Sequence, residues 1–94
     1  MQLGKVIGTL WATRKDPKLT GLKFLIVRHL DFDYSEKSGF SVAVDSVGAG
    51  VGEVVLCASG SSARLTQATE GRPVDTVIMA IVDRVDLNSG GDAR

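Results

Sequence analysis

Apolar residues fall at alternate positions or in short β-branched runs through five separate stretches of this chain, the rhythm of strands rather than of long helices. Leu3 to Ala12, LGKVIGTLWA, is the first, an imperfect alternation with Gly4 and Gly8 inside it. Glycines within a strand mark bulges, barrel corners or close backbone approach, so this strand is expected to bend strongly. Thr13 to Gly21, with its charges and Pro17, reads as an exposed loop. Lys23 to Asp31 is the second strand, placing Phe24, Ile26 and Leu30 on one face and Leu25, Val27 and His29 on the other, both at least partly buried. Phe32 to Gly39 is polar and turn-like, and Phe40 to Asp45 makes a short third strand. Glu53 to Ala58, EVVLCA, is the fourth. Ser61 or Ser62 is placed to cap a short helical turn through Ala63, Arg64, Leu65 and Gln67, because serine oxygens accept from the free N–H groups at helix starts. Glu70 to Pro73 returns to loop, and Val77 to Leu87 is a long fifth strand with Val77, Met79, Ile81 and Val85 on one face.

Five strands and one short helix within 94 residues predict an all-β fold, a small five-stranded barrel of the oligonucleotide-binding (OB-like) type. The barrel is expected to occupy residues 1–87 as a single domain, with residues 88–94, NSGGDAR, as a flexible tail. A chain this short buries only about two-thirds of its unfolded surface, so its stability is expected to be modest. At 44% hydrophobic and 23% charged it has the makeup of a folded domain, which excludes intrinsic disorder. One cysteine forbids an internal disulfide, and the N-terminal residues have no secretion-signal pattern, so a reducing cytoplasm is the expected setting. No apolar run nears the roughly 20 residues that span a bilayer as a helix, so no membrane role is expected. The net charge is zero, yet residues 1–40 carry seven basic and four acidic side chains and residues 41–94 the reverse, four and seven. That asymmetry is compatible with head-to-tail packing of subunits and equally with solvated charge.

Barrels of this type serve many functions, so function has to be sought in particular residues. The most distinctive segment is VAVDSVGAGVGEVVLCASGSSAR, Val42 to Arg64, in which two strand-like runs flank Gly48, Ala49, Gly50, Val51 and Gly52. Alternate glycines allow a loop to turn with positive φ or to approach another surface closely. That surface is phosphate, the protein's own core or a neighbouring subunit. Nucleotide binding fails on spacing, since neither G-x-G-x-x-G opening a helix nor a terminal Gly-Lys-Ser/Thr is present. Asp31-Phe32-Asp33-Tyr34-Ser35 begins like a calcium loop, but Glu36 stands where glycine is needed and Val42 where the bidentate carboxylate belongs. His29 and Cys57 are the sole imidazole and thiol, too few for a structural zinc site. Cys57, among Val54, Val55, Leu56 and Ala58, reads as a small core residue, and His29 as a hydrogen-bonded or solvated strand residue. Ser59, Ser61 and Ser62 lack a nucleophile elbow and a patterned histidine partner. No catalytic residue, metal ligand or cofactor is therefore assigned. A basic cluster, Arg14, Lys15 and Lys18 beside Trp11, keeps single-stranded nucleic-acid binding as the alternative function, although a second stacking aromatic is missing nearby.

Four segments in order, MQLGKVIGTLWAT (1–13), LTGLKFLIV (19–27), the Val42–Arg64 stretch and PVDTVIMAIVDRV (73–85), resemble the pentameric vertex proteins of bacterial microcompartment shells, the EutN/CcmL family. Residues 31–38 and the tail after Leu87 depart from the family pattern. The resemblance implies a barrel assembled as a cyclic homopentamer, with no enzymatic activity and no cofactor, in the shell of a cytoplasmic microcompartment. Its partners would be hexameric and pseudohexameric shell proteins, with no nucleic acid or membrane involved. With that resemblance, Gly48, Ala49, Gly50, Gly52 and Glu53 are expected to form a tight subunit- or shell-facing loop, and Ser61, Ser62 and Arg64 a second contact loop. Glu53 would accept backbone or arginine hydrogen bonds, and Arg64 would offer its donor fork to carbonyls or carboxylates. The alternative is that the glycines serve only an internal turn.

Overall fold

The computed structural model describes residues 1–13, 15–60, 63, 65–66, 69 and 75–88. The strands are β1 (Gln2–Leu10), β2 (Phe24–Leu30), β3 (Glu36–Asp45), β4 (Val54–Ser59) and β5 (Thr76–Ile81). They form a closed barrel in the order β1-β2-β3-β5-β4, β4 returning to β1. Neighbouring strands are antiparallel except at the β3–β5 seam, which is parallel and matches Val44 with Val77 and Asp45 with Ile78. The Ser46 hydroxyl reinforces this short seam by donating to the Ile78 carbonyl at 2.6 Å. An all-β barrel of OB-like order is what the alternation predicted.

The inward residues of the strands supply the core: Val6, Leu25, Val27, Ala43, Val55, Cys57 and Ile78, joined by Ala49 from the glycine loop. A second buried cluster, Val44, Ala58, Ala63 and Val77, is built around the seam itself, with Leu22, Phe24 and Met79 packed against it. These two clusters explain why both faces of β2 are apolar, as the sequence pattern indicated. Cys57 is buried as a core side chain, and burial pushes its thiol up to about 11.

β1 bends where it was expected to. Its register with β2 shifts between Val6 and Gly8, the mark of a bulge. Gly4 answers to close approach: a Cβ there would overlap Cγ1 of Val27 and stand 3.0 Å from the Arg28 carbonyl oxygen.

Several boundaries differ from expectation. β3 begins at Glu36 rather than Phe40, because the supposed turn contains a β-bulged extension that pairs Glu36 with Leu30. The real turn is Asp31–Ser35, closed by bonds from the Tyr34 N–H to the Asp31 carbonyl and from the Asp31 N–H to the Ser35 carbonyl, both 2.9 Å. Ser35 also donates to Asp33 through its hydroxyl and backbone N–H, holding that carboxyl below its usual range. The exposed loop after β1 contains a single 3-10 turn, Pro17–Leu19, with Asp16 as its cap accepting from the Lys18 N–H at 2.8 Å. Asp at the cap followed by Pro at the first helical position was a legible signal for it. β5 ends at Ile81, not Leu87. Its even alternation also fails, since Val77 and Ile78 are both fully buried and the register with β4 slips between Leu56 and Cys57. The short helical turn expected from Ser61 or Ser62 to Gln67 falls largely outside the described residues, as does the tail from residue 89.

Candidate functional site

The glycine loop leaves β3 at Asp45 and enters β4 at Val54, so both of its ends are held by the barrel. Its first half is wrapped around one carboxylate. Oδ1 of Asp45 accepts from the N–H groups of Val47 at 3.0 Å, Gly48 at 3.1 Å and Ala49 at 3.1 Å. An aspartate that bonds the backbone just after it replaces the missing strand ladder with a local turn. Gly48 and Gly52 sit at φ +80° and +95°, the left-handed region that a side chain resists.

The second half is tied by Glu53. Its Oε1 accepts from the Gly50 N–H at 2.6 Å, and its backbone N–H reaches the Gly50 carbonyl at 3.2 Å. Two further bonds fasten the loop to the bulge of β1: Gly52 N–H to the Val6 carbonyl at 2.8 Å, and Val6 N–H to the Glu53 carbonyl at 2.9 Å. Lys23 adds a long contact from Nζ to the Ala49 carbonyl at 3.5 Å.

This geometry decides what the loop is able to bind. The N–H groups of residues 47 to 50 and of Gly52 already have partners within the chain, so they do not form an anion cradle. Ala49 is buried in the core and anchors the loop from beneath. What faces outward is compact and apolar: Val47 is 41% exposed and Val51 64%. Such a surface suits another protein more than a phosphate.

Among the expected site residues, Gly48, Ala49, Gly50, Gly52 and Glu53 are therefore brought together in one rigid loop. Ser61, Ser62 and Arg64 lie outside the described residues. Sequence reasoning missed the loop-holding roles of Asp45 and Lys23 and the outward placement of Val47 and Val51. An Asp two and three residues before Val47 and Gly48 was a usable turn signal. Val47 and Val51 had none, because alternation does not distinguish an apolar residue left outside from one turned inward.

The structure also pairs His29 with a serine that was not a candidate nucleophile. Its Nε2 lies 2.6 Å from Oγ of Ser41 across the β2–β3 pair. Among the described residues no carboxylate bonds its other ring nitrogen, which faces Gly39. The pair lacks the orienting group of a Ser-His-acid arrangement. Trp11 is 86% exposed, and Lys15 and Lys18 are exposed as well.

Comparison with known proteins gives a consistent result. The family described as "Ethanolamine utilisation protein EutN/carboxysome" matches residues 1–83. A carboxysome shell vertex protein, CcmL, from Synechocystis is 46% identical over 96% of this chain and 90% of its own length. The microcompartment shell vertex protein PduN from Salmonella typhimurium is 46% identical over 88% of this chain and 96% of its own length. The structure of GrpN, a pentameric microcompartment shell protein from Rhodospirillum rubrum, superposes with a TM-score of 0.86 at 42% identity, covering 94% of this chain and all of that one.

Proposed function

The chain belongs to the EutN/CcmL family, and from that premise we propose that it is the vertex subunit of a polyhedral bacterial microcompartment, acting in the cytoplasm as a ring of five. The observation that supports this most is similarity along nearly the whole barrel, rather than at one motif, to shell vertex proteins and to a pentameric shell protein. Flat layers of sixfold tiles do not curve into a closed polyhedron by themselves. A fivefold unit at each corner supplies the missing curvature, so the function is closure and no reaction is required of the subunit.

In this reading the partners are hexameric and pseudohexameric shell proteins, and the protein has no enzymatic role and no nucleic-acid ligand. Residues 1–87 make up one domain, the barrel together with the segment that follows β5. The glycine loop is a contact surface: Asp45 and Glu53 hold its backbone, while Gly50, Val47 and Val51 meet the neighbour. Ser61, Ser62 and Arg64 provide the second contact loop. Gly50 tests this best, because a Cβ there would sit 3.5 Å from Oε1 of Glu53, an ordinary contact. Gly50→Val should leave a folded ring whose native mass is near five times the 9.9 kDa chain but reduce its incorporation into shells. A ring that caps shells normally with valine at this position would remove the loop from the interface, and a wild-type monomer would remove the vertex reading itself.

A further inference from the structure

The barrel is closed by very little of β3. Its pairing with β5 covers Val44 and Asp45, and among the described residues the remainder of that edge, Glu36 to Ala43, has no strand partner. The register slip opposite Arg28 and Leu30, together with Gly39 at φ +109°, bends the outer part of the strand. What remains as a straight template is Phe40 to Ala43. An unpaired edge of this kind is a ready acceptor for a strand from another chain. Beside it, Phe40 and Val42 face outward and are each about half exposed, while Ser41 between them turns inward to His29. Arg28 lies over the Phe40 ring at 4.8 Å and is ion-paired with Glu36, Nε to Oε1 at 3.2 Å, so its charge is already met within the chain.

The chain contains one segment of matching pattern that β5 leaves behind. Val82 still donates to the Val54 carbonyl at 2.8 Å, and from Asp83 onward the chain leaves the sheet. In an extended segment Asp83, Val85 and Leu87 share one face, while Arg84 and Asp86 share the other, where they form an exposed ion pair at 3.1 Å. Two apolar residues spaced by two on this segment thus match two apolar residues spaced by two on the receiving face.

The segment is barred from its own edge. β5 runs parallel to β3 with Ile78 beside Asp45. Val85 therefore lies seven residues beyond the seam in one direction along the chain, and Phe40 five residues away in the other. An edge at one end and a matching strand at the other make a heterologous, head-to-tail contact, which closes into a ring when the rotation per subunit permits.

We infer that residues 83–87 of one subunit add as a strand to the Phe40–Ala43 edge of the next, with Val85 and Leu87 against Phe40 and Val42. This inference rests on the ring proposed above. The backbone edge sets the alignment, and the paired apolar side chains exclude water from it.

The test uses the full chain and two variants, one on each side of the contact: Val85→Asp with Leu87→Asp on the donor, and Val42→Lys on the acceptor. Native mass spectrometry across a dilution series reads the ring, circular dichroism reads the fold, and hydrogen exchange reads the amides of residues 40–43. The expected result is a wild-type fivefold species and, for both folded variants, dissociation at a subunit concentration at least about tenfold higher, with faster exchange at residues 40–43. A fivefold wild type with both variants dissociating as it does would overturn the strand addition and leave the ring. Loss of the ring in Val42→Lys alone would show that the edge is used but that residues 83–87 do not fill it, which also overturns the proposal. A wild type that is monomeric throughout would end both readings.

Discussion

Removing the Asp45 carboxylate should loosen the glycine loop without emptying the core, and the size of the effect follows from its three bonds. Val47 and Gly48 are exposed, so water replaces the carboxylate at their N–H groups with little net loss. Ala49 is buried, and its N–H, 3.1 Å from Oδ1, is the one that water reaches poorly. A hydrogen bond to a charged acceptor is worth about 1.5–3 kcal/mol, and loss of a capping side chain costs ~0.5–2 kcal/mol. With one of the three bonds counted in full, Asp45→Ala should destabilise the subunit by about 2 kcal/mol. For a domain of this size that lowers Tm by roughly 8–16 °C. Asp45→Asn keeps an oxygen acceptor in place and should lose about half as much. Thermal unfolding followed by circular dichroism measures this, with all variants at one subunit concentration, because association raises Tm by mass action. If Asp45→Ala melted within about 2 °C of the wild type, or Asp45→Asn proved as damaging as Asp45→Ala, the carboxylate would not be what holds the loop.

Two further predictions concern the barrel itself. Gly4→Ala should destabilise the protein by at least ~2 kcal/mol, read as a lower urea midpoint, because its Cβ would meet both a Val27 methyl and the backbone of Arg28; a wild-type midpoint would mean that β1 and β2 are further apart at this rung. Cys57 should resist thiol reagents at pH 8 in the folded protein and react once it is unfolded. Its folded pKa, about 11, lies above the ordinary 9.0, so the folded state retains the proton longer and stability should fall as pH rises from about 9 through 11. Equal labelling rates in the folded and unfolded protein, or a Cys57→Ala variant with the same loss of stability over that range, would refute this assignment.

The architecture was legible because a barrel this small leaves few ways to bury five alternating stretches. Leu25 and Val27 on one face of β2, with Phe24 on the other, announced a strand buried on both sides, and they sit in or against the two core clusters. Gly4 and Gly8 announced a bent β1, and the strand is bulged between Val6 and Gly8. The ends of β3 and β5 were not legible. Residues 36–39 are polar and exposed, so they have no apolar alternation to report, yet backbone pairing to Leu30 makes them strand. Residues 82–87 have a strand-like pattern and end outside the sheet, because hydrogen bonding requires a neighbour that the pattern does not supply. For the glycine loop, the sequence indicated close packing but not its object; the carboxylates of Asp45 and Glu53 use its amides internally, and this removes the phosphate option.

By itself, the sequence determined the strands, the apolar faces and the family, since these depend on side-chain periodicity and on residues that can be matched one by one. Only the tertiary structure decided which strand edge stays open, which amides are already spent and which valines remain outside. Those properties arise when segments far apart in the chain meet, as Asp45 meets Ile78 and Gly52 meets Val6. No local pattern along the chain encodes the identity of the partner.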